Sequence, residues 1–339
     1  KLPQTPGVAM ASLGSAAIGE YTLQPPPGDG ISSVKFAPST NVVLAGCWDS
    51  KLRLYDAAQN RLLHTFTMKG PCLDCSFLDN THAVGGGLDK TVKVFDLQEG
   101  VATSTLGEHE GTVRCLEYSQ YRELLFSGGW DSKVNAWDPR SSGDRVAGLT
   151  LPGKVFSMSV TDSRLVVATA DRRVVSYDLR MLDAPEFDRE SSLKYQTRCV
   201  RTFPDGQGYA LASIEGRVAI EYFSADDEAK KYAFKCHRVQ QTVFPVNSIA
   251  FHPLHGTFAT GGCDGFVNIW DGKNKKRLCQ LPSFPTSIAS LSFNHDGTML
   301  AVAASYTFEE GEKDHPPDQL YIRMISDSDV RPKPRSAAS

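Results

Sequence analysis

Residues 128–138 read Gly-Gly-Trp-Asp-Ser-Lys-Val-Asn-Ala-Trp-Asp, which joins a glycine pair, an acidic turn residue, a short strand-forming run and an aromatic-Asp pair. Here the second Asp follows the first by seven residues. The same spacing recurs from Asp49 to Asp56, Asp89 to Asp96, Asp171 to Asp178 and Asp264 to Asp271. A spacing that returns in five segments indicates an internal repeat.

The repeat has a period of about 42 residues. Successive first Asp residues lie 40, 42 and 40 positions apart up to Asp171, and the 93-residue gap to Asp264 holds one further unit, centred on Glu215. A seventh unit surrounds Ser305. This period is typical of WD-repeat proteins, in which each unit forms one four-stranded blade. The sequence therefore predicts an all-β fold, a seven-bladed WD-repeat β-propeller.

Within each unit the residue pattern favours strands. Segments such as Ile31–Phe36 and Arg164–Thr169 are short, contain β-branched residues and are bounded by turn-forming residues. In WD-repeat proteins, which these units resemble, a buried His, Ser or Thr, Asp and Trp hydrogen-bond one another. The matching sets are His109, Ser127, Asp131 and Trp137, and His237, Thr260, Asp264 and Trp270.

The two ends of the chain complement each other. Gln319–Met324 can form the third strand of the seventh blade, but the Pro-containing stretch 331–335 cannot supply a fourth. We expect the strand at Tyr21–Gln24 to take this place and close the ring. The predicted propeller spans 21–326, between a flexible N-terminal extension at 1–20 and a flexible C-terminal tail at 327–339.

The composition of the chain limits the class of protein to which it can belong. The 339 residues are 41% hydrophobic and 22% charged, with a net charge of −3, which predicts a soluble globular protein. No apolar stretch is long enough to span a membrane, and we expect no membrane partner. Eight cysteines are too sparse for a disulfide scaffold and favour a reducing, nucleocytoplasmic compartment. Without a global excess of basic residues, we expect no direct nucleic-acid binding.

The motifs that could carry chemistry are weak. Cys72-Leu-Asp-Cys75 has redox or zinc spacing but lies in a strand pattern, so we interpret both residues as core cysteines. His252 and His255 have no third metal ligand at a recognised spacing. No phosphate-binding loop or nucleophile elbow is present in the sequence. We therefore predict no enzyme activity, no cofactor and no metal.

Two blades end in an aromatic-Asp-x-Arg pattern, at Arg140 and Arg180. This pattern occurs in substrate receptors of cullin-RING ubiquitin ligases. It also has a structural interpretation, which we favour, because each Arg can pair with the Asp of its own blade.

The fifth unit departs from the repeat, and such departures are expected at functional sites. Glu215 replaces its turn Asp, and it carries the cations Lys194, Arg198 and Arg217. Two guanidinium groups on one rim can bind a phosphate through paired hydrogen bonds. The alternative is a pair of solvated arginines on a strand surface.

Two tryptophans precede turn Asp residues. Trp48 and Trp130 should face the mouth of the propeller, where an exposed indole favours peptide recognition. Partial burial in the central channel is the competing interpretation.

Four longer blocks add a family resemblance. The stretches 189–198, 213–222, 232–238 and 258–271 resemble the mitotic-checkpoint WD-repeat proteins of the budding-uninhibited-by-benzimidazole series, third member. The likeness runs from Gly30 to the last blade. The blocks Lys-Tyr-Gln and Ser-Ile-Glu-Gly-Arg-Val-Ala are shared with the mRNA-export propeller that binds a nucleoporin GLEBS segment. That relative typically has His where Thr197 stands, so it ranks second.

The resemblance implies a non-enzymatic adaptor of the spindle-assembly checkpoint. Its members bind the GLEBS motif of a checkpoint kinase and of a pseudokinase, and dock on phosphorylated Met-Glu-Leu-Thr repeats of a kinetochore scaffold. By position, the phosphothreonine-binding arginines fall on Arg198 and Arg217, with Lys194 as a nearby cation, and the top-face tryptophan falls on Trp48. We expect a monomer that forms hetero-complexes, located in the nucleus, at mitotic kinetochores and in part in the cytoplasm.

Overall fold

The chain forms a ring of seven four-stranded antiparallel sheets. The computed structural model describes residues 19–141 and 145–333. In each blade the strands follow one another from the central channel outward, and a two-stranded hairpin lies between blades five and six. The prediction of an all-β, seven-bladed propeller is confirmed.

The strands are listed here by blade, together with the two short helices. Before blade one lies β1 (Glu20–Thr22), and blade one holds β2 (Ile31–Phe36), β3 (Val42–Cys47), β4 (Lys51–Asp56) and β5 (Arg61–Thr67). Blade two holds β6 (Cys72–Phe77), β7 (His82–Gly87), β8 (Thr91–Asp96) and β9 (Val101–Glu108). Blade three holds β10 (Val113–Ser119), β11 (Leu124–Gly129), β12 (Lys133–Trp137) and β13 (Arg145–Thr150). Blade four holds β14 (Val155–Val160), β15 (Arg164–Thr169), β16 (Arg173–Asp178) and β17 (Phe187–Glu190). Blade five holds β18 (Thr197–Thr202), β19 (Gly208–Ser213), β20 (Arg217–Tyr222), a 3₁₀ turn (Ala225–Lys230) and β21 (Tyr232–Lys235). The hairpin is β22 (Arg238–Val239) and β23 (Thr242–Val243). Blade six holds β24 (Val246–Phe251), β25 (Phe258–Gly262), β26 (Val267–Asp271) and β27 (Lys276–Gln280). Blade seven holds β28 (Ile288–Phe293), β29 (Met299–Ala304) and β30 (Gln319–Met324), followed by α1 (Asp327–Val330).

The start of the chain closes the ring. Strand β1 pairs antiparallel with β30, with Glu20 opposite Arg323, and becomes the fourth strand of blade seven. A β-sheet edge that would otherwise be exposed is thereby paired with the beginning of the same domain.

The connections define two faces of the ring. We define the top face as the end of the ring that carries two kinds of connection. These are the turn between the second and third strands of each blade, and the link from each blade to the next. The bottom carries the turns between first and second, and between third and fourth, strands. Trp48 and Glu215 lie in top turns, whereas Leu254 and Lys273 lie in bottom turns.

Side chains of the inner strands bind neighbouring blades together. Ser290 Oγ accepts a hydrogen bond from Val34 N at 3.1 Å, which ties blade seven to blade one. Equivalent bonds run from Leu116 N to Asp74 Oδ2 at 2.8 Å, from Val200 N to Ser157 Oγ at 3.0 Å and from Leu291 N to Ser248 Oγ at 3.0 Å. These polar side chains satisfy buried backbone donors that a bulged inner strand leaves without a sheet partner.

Both predicted tetrads form within their blades. His237 bonds Asp264 Oδ1 through Nδ1 at 2.8 Å and Thr260 Oγ1 through Nε2 at 2.8 Å, and Trp270 Nε1 donates to the same hydroxyl at 2.9 Å. In blade three, Ser127 takes the place of Thr260, with His109 and Trp137 each 2.7 Å from its Oγ. Every polar group of these buried sets therefore has a partner.

The C-terminal boundary needs a correction. The tail was predicted to begin at 327, but Asp327–Val330 form α1 and Val330 is 1% exposed. Thr257 Oγ1 donates to Val330 O at 2.8 Å, and His255 Nε2 lies 2.7 Å from Asp327 Oδ1. The packed chain therefore continues to Val330, because an apolar side chain and two polar contacts hold the segment on blade six. Residues 1–18 of the predicted N-terminal extension and residues 334–339 of the predicted tail lie outside the described residues.

Cys72 and Cys75 lie in an inner strand of the core, as their interpretation as core cysteines expected. Both are fully buried in β6, and burial raises the pKa of each thiol well above its usual range. Within residues 19–141 and 145–333, no helix has the length and apolar character needed to cross a membrane.

Candidate peptide-binding face

A cavity of about 530 Å³ opens at the top of the central channel. Its rim contains large apolar side chains that are partly exposed: Trp48 at 48%, Trp130 at 38% and Phe308 at 62%. Leu73 forms part of its floor. A concave apolar rim of this size is typical of a site for a peptide.

The turns of the repeat place both tryptophans at this rim. Trp48 N donates to Gly30 O at 2.8 Å, and Trp130 N donates to Thr112 O at 2.9 Å. These bonds are equivalent in blades one and three, so the two indoles occupy matching positions. The expectation that Trp48 and Trp130 lie at the mouth agrees with this arrangement.

Beside Trp48, an ion pair fixes the turn. Arg53 Nη1 donates to Asp49 Oδ1 at 3.1 Å. Burial raises the pKa of Asp49, but its hydrogen bonds with Arg53 outweigh this effect and the net shift is downward. The carboxylate therefore stays ionised at neutral pH, and the turn that presents Trp48 is held in place.

The floor of the cavity is built from β-bulges. Every inner strand skips one residue in its pairing with the second strand, and the skipped residues are Ser32, Leu73, Arg114, Phe156, Arg198, Asn247 and Ala289. All of them line the cavity at the mouth or the narrower space beneath it. A bulge redirects its side chain, and here all seven ring the channel.

Two members of this ring are arginines, Arg114 in blade three and Arg198 in blade five. In the part of the chain that the structure describes, neither guanidinium group has a carboxylate oxygen within 4.0 Å. Two uncompensated guanidinium groups at the mouth of a channel attract anionic side chains. Sequence reasoning missed Arg114, although it precedes Asp131 by 17 residues, as Arg198 precedes Glu215.

A second basic site lies on the top of blade five. Arg217 Nε is 3.1 Å from Glu215 Oε2, and Arg238 Nη2 is 4.0 Å from Glu215 Oε1. Arg238 Nη2 also donates to Glu215 O at 2.9 Å. The Nε atoms of both arginines are buried, and among the described residues neither donates a hydrogen bond, because the 3.1 Å contact of Arg217 with Glu215 is an ion pair without hydrogen-bond geometry. Two arginines thus share one carboxylate, and their charges are only partly balanced.

The local fold explains how Arg238 reaches this place. Gly216 has a φ of +60°, and a Cβ there would lie 2.7 Å from Cys236 O, so the turn and the incoming chain pack backbone to backbone. The hairpin of β22 and β23 packs against this turn, since a Cβ on Gly216 would also lie 3.0 Å from Val243 Cγ1. Sequence reasoning missed Arg238 because it lies 21 positions after Arg217, in a connection rather than in a strand of the blade.

The predicted pair of Arg198 and Arg217 is only partly brought together. Ser213 pairs with Thr197 on one side and with Arg217 on the other, so the two arginines lie near one rim, separated by a strand. Arg198 lines the mouth cavity, whereas Arg217 lies outside its lining and pairs with Glu215. The closer companion of Arg217 is Arg238. Lys194 is exposed in the top connection before β18, and its carbonyl accepts a hydrogen bond from Arg172.

The other candidate motifs have structural roles. Arg140 Nε donates to Asp138 Oδ1 at 2.9 Å and Arg180 Nε donates to Asp178 Oδ1 at 3.0 Å, so each pairs with the Asp of its own blade. His252 and His255 stack with ring centroids 4.9 Å apart. Across residues 19–141 and 145–333, no group of three metal-ligating side chains comes together.

Comparisons with known proteins identify the family. The model of the WD domain, G-beta repeat, matches residues 20–56, 100–138 and 230–271. Mitotic checkpoint protein BUB3.1 of Arabidopsis thaliana is 51% identical over 92% of this chain and 95% of its own length. Mitotic checkpoint protein bub3 of Dictyostelium discoideum is 49% identical over 92% of this chain and 97% of its own length. The chain belongs to the BUB3 family of WD-repeat proteins.

Two further comparisons place this family among its neighbours. Protein RAE1 of Arabidopsis thaliana is 36% identical over 97% of this chain and 99% of its own length, a lower identity than that of the BUB3 relatives. The solved structure of U3-55K superposes with a TM-score of 0.80 over 92% of this chain and all of its own, at 16% identity, and thus shares the fold. The BUB3 relatives support a role as a WD-repeat adaptor of the spindle checkpoint. The WD-repeat propeller is a scaffold fold.

Proposed function

We propose that this protein is a non-enzymatic adaptor that recruits checkpoint kinases to unattached kinetochores. The observation that carries the proposal is the top of blade five, where Arg217 and Arg238 share Glu215 beside a peptide-sized apolar mouth. Its chemistry suits one partner that is apolar with acidic side chains and a second that carries a phosphate.

The first partner is the GLEBS segment of a checkpoint kinase or pseudokinase. It lies across the mouth cavity and buries Trp48, Trp130 and Phe308, whose exposed rings act as apolar anchors. Acidic side chains of the segment enter the ring of bulged residues and bind Arg114 and Arg198. Hydrogen bonds between guanidinium groups and carboxylates are charge-assisted and are stronger than bonds between neutral groups.

The second partner is a phosphorylated Met-Glu-Leu-Thr repeat of a kinetochore scaffold. The phosphothreonine binds Arg217 and Arg238 on blade five, with Arg198 and Lys194 contributing positive potential from the same rim. A phosphate carries a charge of about −2 and three acceptor oxygens, so it can bridge guanidinium groups that a single carboxylate only partly satisfies. Phosphorylation of the scaffold then switches recruitment on.

We infer that the two sites can be filled at once. One occupies the channel mouth and the other the top of the third strand of blade five, so a kinase bound through its GLEBS segment is carried to a phosphorylated scaffold. We infer that the chain acts as a monomer within such hetero-complexes. Its locations are the nucleus, mitotic kinetochores and in part the cytoplasm.

The test is a purification of the tagged protein from mitotic cells, with and without phosphatase treatment. We expect a checkpoint kinase to be retained after phosphatase treatment and a kinetochore scaffold to be lost. Retention of the scaffold after complete dephosphorylation would contradict the phosphate switch.

The second candidate function is nuclear mRNA export, which the likeness to RAE1 favours. Imaging separates the two, because an export factor accumulates at nuclear pores and a checkpoint adaptor at unattached kinetochores. A role as a ubiquitin-ligase substrate receptor finds less support, since Arg140 and Arg180 are already paired within their blades. Their substitution by Ala should leave any ligase-adaptor association unchanged.

A further inference from the structure

The bottom of the ring carries an apolar groove between blades five and six that the proposed function does not use. It has a volume of about 310 Å³ and is walled by Phe203, Tyr222, Phe251, Leu254 and Phe258. The turns that line it are bottom turns, so it lies at the opposite end of the channel from the mouth cavity. Leu254 is 71% exposed at its edge, the largest exposure of any large apolar side chain described.

The walls of this groove are anchored. Phe203 and Phe251 meet edge to face with centroids 5.5 Å apart, and Phe251 and Phe258 lie 5.2 Å apart. The turn that carries Leu254 is held through His255, whose Nε2 lies 2.7 Å from Asp327 Oδ1 in α1. The groove is therefore preformed, which lowers the entropic cost of filling it with an apolar side chain.

A run of cations continues from one wall of the groove. Lys273 lines the groove and lies 3.6 Å from Asp205, and Lys275, Lys276 and Arg277 follow it, all exposed. The backbone of Lys333 joins this surface through a hydrogen bond from Asn274 Nδ2 at 3.3 Å.

Lys275 and Lys276 have little acidic compensation, whereas Arg277 and Lys333 lie near Asp329 of α1, which packs against β26 and β27. In residues 19–141 and 145–333, Lys275, Lys276, Arg277 and Lys333 form no ion pair, and the nearby Asp271 is 2% exposed and is bonded by Asn274. Lys275 Nζ lies over the ring of Tyr232, 4.6 Å from its centroid. Lys275 and Lys276 thus keep a positive surface beside the apolar groove, and the two together select a ligand that is both apolar and acidic.

We propose that this surface is a second protein-docking site, which binds an extended acidic segment of a partner through one large apolar residue. The apolar side chain fills the groove against Leu254, Phe251 and Phe258. The Asp and Glu residues that follow it lie over Lys273, Lys275 and Lys276. Because this site is on the bottom, it is available while the top face holds its peptides.

The test is a selection of random displayed peptides on the immobilised full-length chain, with Leu254→Asp as the counter-selection target. Leu254 is mostly exposed, so the substitution leaves the packing of the blade intact. We expect peptides that bind the wild-type protein and not this variant to carry one large apolar residue beside a run of Asp or Glu. Failure to recover any Leu254-dependent peptide, or recovery of neutral and basic ones, would overturn the proposal.

A recovered peptide, synthesised with a fluorophore, then tests the cations. Reversal of Lys275 and Lys276 to Glu should weaken binding about tenfold or more. The matched control reverses Arg61 and Arg122 to Glu, two exposed cations at the bottom of other blades, and should change affinity by less than about twofold. Equal losses in both double variants would show a general charge effect and contradict the proposal.

One competitor tests the class of the ligand, and one variant tests the place where it binds. An oligouridine RNA of equal charge should not displace the peptide, since it lacks the apolar anchor. Displacement at equal concentration would make the surface a nucleic-acid site instead. Trp48→Ala should leave binding unchanged, because the mouth cavity lies on the other face, and a loss would contradict a separate site. These results do not depend on the phosphopeptide measurements.

Discussion

Nε of Arg217 lies 3.1 Å from Oε2 of Glu215, so the guanidinium group proposed to bind phosphate is already paired in the unbound protein. Glu215 stands where the regular blades have their turn Asp, and it also faces Arg238. A phosphate that reaches this place must share these arginines with the carboxylate. Glu215 therefore keeps the site ordered and at the same time weakens binding.

The first prediction concerns Glu215→Gln. The amide keeps the shape and an acceptor oxygen but removes a negative charge a few ångströms from the phosphate. We expect the affinity for a phosphorylated Met-Glu-Leu-Thr peptide to rise by about threefold to tenfold, with a smaller gain at high salt because the effect is electrostatic. Fluorescence anisotropy across a salt series measures it, and a weaker affinity for the variant would show that positioning by Glu215 outweighs its charge.

The second prediction concerns Trp48→Ala. The indole is 48% exposed at the mouth cavity, so its loss should remove an anchor without opening the core. We expect GLEBS-peptide affinity to fall by about 2 kcal/mol, roughly thirtyfold, with little change in thermal stability. The matched control is Val101→Ala, an exposed apolar residue at the outer edge of blade two, which should leave affinity unchanged. Calorimetric titration in which Trp48→Ala also has no effect would rule out the mouth as the peptide site.

The third prediction compares two buried threonines that are both 0% exposed. Thr260→Val removes the hydroxyl that serves His237 and Trp270 and should lower the free energy of unfolding by about 2 to 4 kcal/mol. Thr197→Val removes an Oγ1 that has no hydrogen-bond partner among the described residues, and should change stability by less than about 1 kcal/mol. Urea unfolding measures both. Similar losses in the two variants would mean that the tetrad hydroxyl has no special role.

The fourth prediction is a pH dependence centred on Asp131. Burial raises the pKa of this carboxyl, but its hydrogen bonds with His109 and with backbone N–H groups outweigh that effect and lower the pKa below the usual value. A lowered carboxyl pKa stabilises the fold above the unfolded-state value of about 3.9, and this contribution is lost as the pH falls through the folded-state pKa. The difference in unfolding free energy between the wild-type protein and Asp131→Asn should therefore shrink below about pH 4. A difference that stays constant on acidification would contradict this assignment.

The fold was predictable because each sequence repeat corresponds to one blade. The seven-residue spacing from Asp131 to Asp138 reflects a tight turn plus one strand, and its recurrence in five segments gives the period that places the remaining two blades. The tetrads were predictable for a similar reason, since a buried carboxylate such as Asp264 requires donors at fixed positions in the same blade.

The basic sites were predictable only in part. Spacing along the chain located Arg198 and Arg217 in one blade, but it could not show that a bulge turns Arg198 into the channel while Arg217 stays on the third strand. Arg238 enters the site through a hairpin whose path depends on backbone packing against Gly216. Such contacts depend on tertiary structure, which the local pattern does not encode.

The most direct test is the affinity of phosphorylated and unphosphorylated Met-Glu-Leu-Thr peptides for the wild-type protein, Arg217→Ala and Arg238→Ala. Arg180→Ala serves as the control, because this exposed arginine lies on the bottom face and pairs with Asp178. We predict that the wild-type protein prefers the phosphorylated peptide by at least about tenfold and that each blade-five variant loses most of this preference, while the control keeps it. Equal binding of the two peptides by the wild-type protein, or an unchanged preference in both variants, would contradict the account.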